Sequence, residues 1–369
     1  MKKALIISTV SRQFPLFERG NIEILKELGY EVHGAANYSD ANIPLDKLKI
    51  TNHHINIQRN PFSIKNIGAY NELLSLIKKE NYDLVHCHSP MGGVLGRLAG
   101  RKAKVKNILY TAHGFHFFKG SPLVNWICYF PIEWICSFFT DILITINEED
   151  YKLANKLLCM RKVYKVPGIG IDISRFKQSN INREKKRKEF NIAEDDIILL
   201  SIGELSKRKN HELAIRALAQ FNDSNLHYYI VGKGKLEEYL KSLCESLGVS
   251  QQVHFLGFQK NIEELCSISD IFIFPSKQEG LPVSVMEAMA SKLPIIASDI
   301  RGNKDLILHE KGGYLVPYKN LKEFKKRIEL LVNDKKLRER MGIYNLEMVE
   351  NYKKDIVKDY MREIYSNLK

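Results

Sequence analysis

Short apolar runs alternate with longer, half-apolar runs along the first half of the chain, a pattern typical of strands followed by helices. The apolar runs are rich in β-branched residues and end at Gly or polar residues, as in strands that are buried on both faces. The predicted strands are residues 3–9, 30–35, 54–57, 83–87, 107–112, 141–146 and 162–166. The predicted helices are residues 16–28, 64–79, 92–100 and 148–158. This order predicts a parallel, doubly wound sheet, and therefore a Rossmann-like domain that ends near Pro167.

A second series of the same kind follows a turn-rich break at residues 167–172. Residues 178–189 are charged and weakly apolar, which indicates a connector. The next predicted strands are residues 197–202, 226–231, 253–256 and 270–274, with one more apolar strand before Asp299. The predicted helices are residues 211–220, 235–247 and 262–266, and a helical tail from 321. The fold class is therefore α/β, with Rossmann-like domains at 1–170 and 171–350, a last helix at 351–369 and a cleft between the domains.

The junction between the strand at 270–274 and the following helix is the most informative stretch of the chain. Gly280 stands where backbone must approach a partner, and Pro282 suits the first position of a helix. A helix that begins there offers free N–H groups and the positive end of its dipole to a phosphate. Glu287 lies about 7 Å further along the axis, among apolar neighbours, and needs a polar partner such as a sugar hydroxyl. A nucleotide-sugar site and an ordinary junction with a solvated glutamate both fit these residues.

Composition is that of an ordinary globular protein, with 44% hydrophobic and 27% charged residues in a chain of 369. No run of about 18 apolar residues occurs, and the N-terminal residues enter a strand pattern without a signal-peptide core. We therefore expect a cytoplasmic protein. The six cysteines lack C-x-x-C spacing and sit in apolar segments, which favours reduced core residues over disulfides or a zinc site.

The net charge of +13 is unevenly distributed, with an excess of cations in the first half of the chain. No carboxylate occurs between Asp83 and Glu133. The cations of this interval are Arg97, Arg101, Lys102, Lys104, Lys106 and Lys119. Nucleic acid, acidic phospholipid and a diphosphate substrate would each be attracted by them. The neighbouring aromatic segment, residues 117–139, contains both tryptophans and is interpreted either as an interfacial membrane segment or as a buried helix, with Pro131 arguing against a spanning helix.

Glycine and basic residues follow the predicted strands of the second domain, where ligands of open α/β sheets bind. Gly203 would let the backbone approach a ligand, and Arg208 and Lys209 belong to a cationic run that would meet a diphosphate. A solvated basic turn is the alternative. The corresponding residue of the next turn is Gly232.

Histidines follow two predicted strands of the first domain. His113 and His116 lie three residues apart and invite a metal interpretation, but no acidic or Cys residue accompanies them in the sequence. A histidine at this place is either structural or a hydrogen-bonding residue of a site. His86 and His88 flank Cys87 and are interpreted mainly as lining of the cleft.

Residues 279–299, EGLPVSVMEAMASKLPIIASD, resemble the E-x7-E signature of retaining family 4 glycosyltransferases, with Glu279 and Glu287 as the two glutamates. The resemblance covers nearly the whole chain and is best from about Ile197 to Asp305. It implies the GT-B fold, in which two Rossmann-like domains face each other across a cleft and the last helix crosses back to the first domain. It also implies transfer of a sugar from a nucleotide-sugar with retention of anomeric configuration, without metal or cofactor.

The resemblance also implies roles for residues. His113 would hydrogen-bond the donor sugar or its leaving phosphate, Glu279 would contact the hydroxyls of that sugar, and Lys209 would hold the diphosphate. These three are the predicted catalytic residues. Glu204 stands where the family usually has an arginine, so that role falls to Arg208 as a substitute. The predicted donor-binding residues are Gly203, Arg208, Lys209, Gly232, Phe258, Ile262, Glu279, Gly280, Leu281, Pro282 and, for the ribose, Glu287.

The expected function is a step of bacterial surface polysaccharide synthesis, from a UDP-sugar such as a UDP-N-acetylhexosamine to a polyprenyl-diphosphate-linked or saccharide acceptor. Peripheral contact with an anionic membrane, at the inner face of the plasma membrane, would suit such an acceptor. One alternative is a nucleotide-sugar epimerase or hydrolase of the same architecture. Another is a basic nucleic-acid-binding protein, which we do not favour because the sequence shows no zinc finger, helix-turn-helix or aromatic-rich RNA motif.

Overall fold

The computed structural model describes residues 1–39, 48–177 and 182–368. The chain forms two compact units, Met1–Gly170 with Lys354–Lys369, and Ile171–Lys353. The sequence analysis placed the boundaries after residues 170 and 350. Each unit contains a parallel sheet with helices on its faces, as the alternating pattern predicted.

In the described part of the first unit, seven parallel strands form one sheet in the order β3-β2-β1-β4-β5-β6-β7. The strands are β1 Lys2–Val10, β2 Tyr30–Asn37, β3 Thr51–His54, β4 Leu84–His88, β5 Asn107–Ala112, β6 Ile142–Thr145 and β7 Lys162–Lys165. The helices are α1 Arg19–Glu27, α2 Lys65–Glu80, α3 Pro90–Lys102, α4 Leu123–Ser137, α5 Glu148–Leu157 and, at the end of the chain, α15 Lys354–Ser366; a π-helical turn, Phe14–Glu18, precedes α1.

Two hydrophobic clusters cover the two faces of this sheet, because successive side chains of a strand point to opposite faces. Leu5 and Ile7 of β1 belong to the cluster that contains residues of α2 and α3. Ala4 and Ile6 belong to the cluster that contains residues of α1 and α15. The last helix is thus part of the core of the first unit, where its buried residues are Val357, Met361, Ile364 and Tyr365.

In the described part of the second unit, six parallel strands are ordered β10-β9-β8-β11-β12-β13. The strands are β8 Ile197–Ile202, β9 Leu226–Val231, β10 Val253–Gly257, β11 Ile271–Phe274, β12 Ile295–Ser298 and β13 Gly313–Val316. The helices are α6 Ser174–Lys177, α7 Arg183–Glu189, α8 His211–Leu218, α9 Glu237–Ser246, α10 Ile262–Ile268, α11 Val283–Ala290, α12 Asn303–Leu306, α13 Leu321–Asn333 and α14 Lys335–Val349.

Three predictions about the elements were wrong or incomplete. The strand expected at 54–57 is instead β3. Its pairing with β2 ends at His54, and the buried Ile55 and Ile57 follow the strand. Residues 183–189 of the expected connector form helix α7, while residues 178–181 lie outside the described residues. Arg187 fixes α7 by donating to the carbonyls of Ile268 and Ala193. Strand β13 and helix α12 had not been predicted.

Candidate functional site

The predicted donor residues of the second unit lie at the carboxyl ends of four neighbouring strands, β10-β9-β8-β11. Gly203 follows β8, Gly232 follows β9, Phe258 follows β10 and Pro275 follows β11. Because these strands are parallel, their carboxyl ends share one edge of the sheet. The fold therefore gathers residues that are far apart in the sequence on one edge.

Glu279 is the centre of a cluster of charges at this edge. Its Oε1 accepts from Arg208 Nη1 at 2.7 Å and lies 2.8 Å from Lys209 Nζ. The hydroxyl of Ser276 donates to the same oxygen at 2.6 Å. One carboxylate thus holds two cations and a hydroxyl in place, which fixes the positions of charges that a diphosphate would need.

Lys209 is largely buried, with 12% of its side chain exposed. Burial lowers the pKa of its ammonium, and the Glu279 carboxylate opposes that shift. The ammonium also lies 4.5 Å from the centre of the Phe274 ring, a cation–π contact. A partly desolvated cation interacts more strongly with an incoming anion than one in bulk water.

Arg208 and Glu204 differ in what they contact. Arg208 also donates to the carbonyl of Gln278 at 3.0 Å, so its guanidinium bridges the turn before Glu279. Glu204, which occupies the position where a cation was expected, is exposed. The structure therefore places the guanidinium of Arg208 beside Glu279.

The glycines at the strand ends let two loops pack closely. Gly232 has φ of +144°, and a Cβ there would lie 2.0 Å from the carbonyl oxygen of Gly203. A Cβ at Gly203 would come within 3.1 Å of the Lys209 side chain. Both positions therefore require Gly for the backbone and the Lys209 side chain to keep their places.

Helix α11 begins one residue later than predicted, since Pro282 is its N-cap with φ of −76° and ψ of 121°. Proline has no side-chain acceptor, so it leaves the N–H groups of the first turn for another partner. Leu281 and Pro282 are buried, and the carbonyl of Gly280 would lie 2.3 Å from a Cβ at Gly302. The turn thus packs closely against the neighbouring loop.

Glu287 is largely buried in α11, and burial raises the pKa of its carboxyl to about 7, against the opposing effect of the Arg175 charge. Arg175 belongs to α6 and donates to the Lys260 carbonyl at 2.7 Å and to Glu263 at 2.5 Å. The prediction that Glu287 sits in poorly solvated surroundings and needs a partner agrees with this burial. Arg175 was missed because no local pattern links it to α11.

Phe258 and Ile262 both lie after β10, in different environments. Phe258 is 69% exposed, whereas Ile262 is 9% exposed and begins α10. An exposed aromatic ring is suited to contact a planar base. Ile262 is a packing residue at the start of α10.

In the first unit, His113 follows β5 and belongs to a cluster that the sequence did not predict. Its Nε2 lies 3.8 Å from Glu18 Oε1 and 3.3 Å from His88 Nδ1. His88 Nδ1 lies 3.0 Å from the same Glu18 oxygen. The side-chain amide of Gln13 reaches both His113 Nε2, at 3.3 Å, and Glu18 Oε1, at 3.0 Å.

Glu18 is the main functional candidate that sequence reasoning missed. It ends the π-helical turn, is 1% exposed and accepts from Asn21 at 2.7 Å. Burial alone would raise the pKa of its carboxyl, but His88 outweighs that effect and the net shift is downward. Burial lowers the pKa of His113 to about 4. The apolar neighbours of Glu18 in the sequence FPLFE were the available signal for a buried carboxylate.

His86 and His88 are both fully buried, so the interpretation of His86 as a lining residue was wrong. His86 Nδ1 lies 2.7 Å from the Tyr365 hydroxyl, and its Nε2 lies 2.8 Å from the Thr111 hydroxyl. The rings of His86 and His88 are 4.2 Å apart. A residue of α15 is thereby connected to the histidine cluster. His116 lies elsewhere, stacked on Tyr129 at 4.6 Å.

The aromatic segment at 117–139 contains α4, which is partly buried and partly exposed. Glu133 of α4 is buried and forms two hydrogen bonds of 2.9 Å with the guanidinium of Arg97 in α3. Arg97 is fully buried and its guanidinium lies 4.0 Å from the centre of the Tyr110 ring. One cation of the predicted basic surface therefore serves as an internal anchor, while Arg101, Lys102, Lys104, Lys106 and Lys119 are exposed.

The outer face of α4 is apolar. Its exposed hydrophobic side chains, with Phe138 directly after the helix, are Leu123, Val124, Ile127, Ile132, Trp134, Ile135 and Phe138. Among the residues that the structure describes, no helix combines the length and the apolar character needed to cross a bilayer. One side of α4 is thus buried, as the prediction of a buried helix requires, and the other side is apolar and exposed.

Comparison with known proteins gives two family matches along the chain. The model described as "Glycosyl transferase 4-like" matches residues 9–147, and the one described as "Glycosyl transferases group 1" matches residues 182–348. The two matches fall in the first and second units.

Two relatives and one solved structure illustrate the similarity. EpsD of Bacillus subtilis, assigned as a glycosyltransferase, is 38% identical over 99% of this chain and 96% of its own length. UDP-Gal:alpha-D-GlcNAc-diphosphoundecaprenol alpha-1,3-galactosyltransferase of Escherichia coli is 30% identical over 76% of this chain and 74% of its own. The crystal structure of Anabaena HepE with UDP and glucose has a TM-score of 0.82 at 19% identity, covering 100% of both chains.

Proposed function

This chain belongs to the group 1, family 4-like glycosyltransferases, and on that premise we propose that it moves a sugar from a nucleotide-sugar to a lipid-linked acceptor. The donor that we propose is a UDP-sugar carrying a hexose or an N-acetylhexosamine, and the transfer retains the anomeric configuration without a metal or cofactor. The observation that carries this proposal is the cluster of Arg208, Lys209 and Glu279 next to the start of α11. The relatives give no support to an epimerase, a hydrolase or a nucleic-acid-binding protein.

The diphosphate of the donor would bind between the two cations and the first turn of α11. Arg208 and Lys209 are already in place through Glu279, so little side-chain entropy is lost when the anion arrives. The N–H groups of α11 add the positive end of a helix dipole. As the bond between the anomeric carbon and the phosphate oxygen breaks, negative charge grows on the diphosphate, and these groups stabilise it.

The other donor contacts follow from where the remaining side chains lie. Glu287, about one and a half turns into α11, would accept from the ribose hydroxyls, and the exposed ring of Phe258 would lie against the base. Glu279 would also accept from a hydroxyl of the sugar. His113 would donate or accept one further hydrogen bond to that sugar, as the family resemblance implies. The acceptor hydroxyl attacks the anomeric carbon from the face that the diphosphate leaves, and its proton passes to the departing phosphate oxygen.

We further propose that the acceptor is carried by a polyprenyl diphosphate, so that the chain works at an anionic membrane surface of the cytoplasm. Supporting this, the E. coli relative is named for a diphosphoundecaprenol acceptor. The exposed face of α4 offers apolar side chains in rows three and four residues apart, including Ile127, Trp134 and Ile135. Exposed cations at the end of α3 and in the loop that follows it would attract anionic headgroups.

A donor screen tests the first proposal. Melting temperatures of the full chain would be measured with UDP-, GDP-, ADP- and dTDP-sugars, with and without EDTA. A binding donor raises the melting temperature by mass action, and we expect a UDP-sugar to give the largest rise, unchanged by EDTA. A rise that requires a divalent ion, or no rise with any of the four donor classes, would contradict the proposal.

Vesicle flotation tests the membrane surface. The chain should float with vesicles of anionic phospholipid and lose this binding in Ile127→Asp. The matched control is Ile343→Asp, because Ile343 is exposed to 55% and Ile127 to 64%, but Ile343 lies on α14 of the second unit. Equal flotation of both variants would argue against a role for α4.

A further inference from the structure

The cluster of Glu18, His88 and His113 has the composition of a metal site. Two imidazole nitrogens and one carboxylate oxygen, each from a different part of the first unit, lie within 4.8 Å of one another. Two histidines and a glutamate are a known ligand set of Zn²⁺ sites that keep a fourth position open. We propose that this cluster binds a divalent transition metal of the Zn²⁺ class, and that the bound ion inhibits the glycosyl transfer proposed above.

The spacing of the ligand atoms supports this. Three atoms at the corners of a tetrahedron with bonds of about 2.0–2.1 Å to zinc are separated by about 3.3 Å. The observed separations are 3.0 Å for His88 Nδ1 to Glu18 Oε1, 3.3 Å for His88 Nδ1 to His113 Nε2, and 3.8 Å for His113 Nε2 to Glu18 Oε1. An ion would therefore fit with shifts of a few tenths of an ångström.

The electrostatic surroundings also favour a cation. Glu18 and His88 are each 1% exposed, so the carboxylate is buried and needs a positive partner. Asn21 orients the Glu18 carboxylate by donating to its Oε2 at 2.7 Å, which leaves Oε1 directed at the histidines.

A cavity adjoins the cluster, and a neighbouring amide competes with an ion for one of the ligand atoms. A cavity of about 40 Å³ is lined by all three ligands and by residues of α15, and it has room for water as a fourth ligand. The Gln13 amide lies 3.3 Å from His113 Nε2, whose single lone pair an ion would need. His88 Nε2 has no hydrogen-bond partner among the described residues. A hydrogen-bond partner on the outer ring nitrogen of a metal-binding histidine typically raises metal affinity by about 10–100-fold. Because His88 lacks one among the described residues, we expect the cluster to bind metal with moderate affinity.

Inhibition is expected because His113 would both bind the ion and hydrogen-bond the donor sugar. An ion on Nε2 ties the ring to Glu18 and His88, so it is no longer free to adjust to the donor sugar. This part of the inference rests on the proposed function, whereas metal binding itself does not. The two are separable because binding has its own spectroscopic readout.

The test is titration of the chelator-treated full chain with Co²⁺, followed by its visible absorption. We expect about one Co²⁺ per chain with the intense bands of four-coordinate cobalt. Glu18→Gln and His88→Gln should weaken binding at least tenfold, whereas His54→Gln, at an exposed histidine of β3, should not. Zn²⁺ should displace Co²⁺ and abolish transfer over the same concentration range.

A second variant guards against misfolding. Gln13→Met removes the amide that competes for His113 Nε2 and should tighten Co²⁺ binding, a gain that a misfolded protein would not show. Absence of the cobalt bands in the wild type, or equal binding by Glu18→Gln, would overturn the site. If the site binds Co²⁺ but the chelated enzyme is inactive, inhibition and metal-free transfer are wrong while the site stands.

Discussion

Glu287 shows how burial of a single residue gives a measurable pH dependence. Its pKa is raised from 4.5 to about 7, chiefly by burial. The folded protein therefore holds a proton between these values that the unfolded chain has released. The contribution of Glu287 to stability is therefore most favourable below pH 4.5 and falls as the pH rises towards 7. At 1.36 kcal/mol per pKa unit, the loss is about 3 kcal/mol for the donor-free protein.

The prediction is that this decline disappears in Glu287→Gln. The free energy of unfolding in urea would be measured for both proteins at several pH values from about 4.5 to 8. The free energy of unfolding of the wild type minus that of the variant should fall by about 3 kcal/mol from the acidic to the alkaline end. A difference that does not change with pH would show that Glu287 is not desolvated. Glu287→Ala should also abolish transfer while the fold persists.

Arg208 provides the second prediction at this scale. Arg208→Ala should weaken UDP binding about tenfold, since a charge-assisted hydrogen bond contributes about 1.5–3 kcal/mol and Arg208 is 44% exposed. Lys207→Ala, at the exposed cation before it, should change binding less than about twofold. Calorimetric titration with UDP measures both.

A rescue variant sharpens that experiment. Adding Glu204→Arg to Arg208→Ala restores a cation where the resembled family has one and should recover UDP affinity. If Lys207→Ala weakens UDP binding as much as Arg208→Ala, the loss of affinity reflects the overall charge rather than the contact of Arg208 with Glu279. If the rescue fails while Arg208→Ala is harmful, Arg208 acts at its own position.

At the scale of elements, the ion pair between α3 and α4 fixes the helix whose outer face is apolar. Breaking a buried pair leaves one charge without a partner and costs about 3–5 kcal/mol. Arg97→Met should therefore lower the free energy of unfolding by that amount, whereas Arg97→Met with Glu133→Leu should recover most of it. Arg216→Met, which breaks the exposed pair with Glu212, should cost less than about 1 kcal/mol.

Urea unfolding monitored by tryptophan fluorescence suits this experiment, because both tryptophans lie in α4. A loss in Arg97→Met no larger than that in Arg216→Met would mean that α4 is not anchored by the pair. A double variant as unstable as the single one would mean that the charges contribute more than packing can replace.

The same elements show what the sequence could predict. Most strands and helices of both sheets followed from periodicity, because a buried parallel strand must be apolar throughout. Strand β3 was displaced because it is an edge strand with exposed residues, and the apolar residues Ile55 and Ile57 come after it. Helix α7 was taken for a connector because all seven of its residues are charged, and it is held instead by the buried Arg187.

The candidate site was predictable to a different degree in each unit. In the second unit, donor residues follow consecutive strands, and strand ends of a parallel sheet converge at one edge. In the first unit, Glu18 and His88 meet only through tertiary folding, 70 positions apart, and no spacing rule links them. The contacts of Arg175 with Glu263 and of Arg97 with Glu133 were missed for the same reason, since side-chain partners remote in sequence leave no periodic trace.

At the scale of the whole molecule, the chain is a glycosyltransferase built from two parallel-sheet units. The first unit carries the histidine cluster and the apolar face of α4, and includes the last helix of the chain through Tyr365. The second carries the cations, the start of α11 and Glu287. The proposed nucleotide-binding residues and the proposed membrane face thus belong to different units.

Proton NMR of the transfer product tests the central claim most directly. The donor found in the screen would be incubated with the chain and a polyprenyl-diphosphate-linked sugar, and the anomeric signals of donor and product compared. We predict a new glycosidic bond with the anomeric configuration of the donor, formed in the presence of EDTA. A product of inverted configuration, or only free or isomerised sugar, would contradict the account.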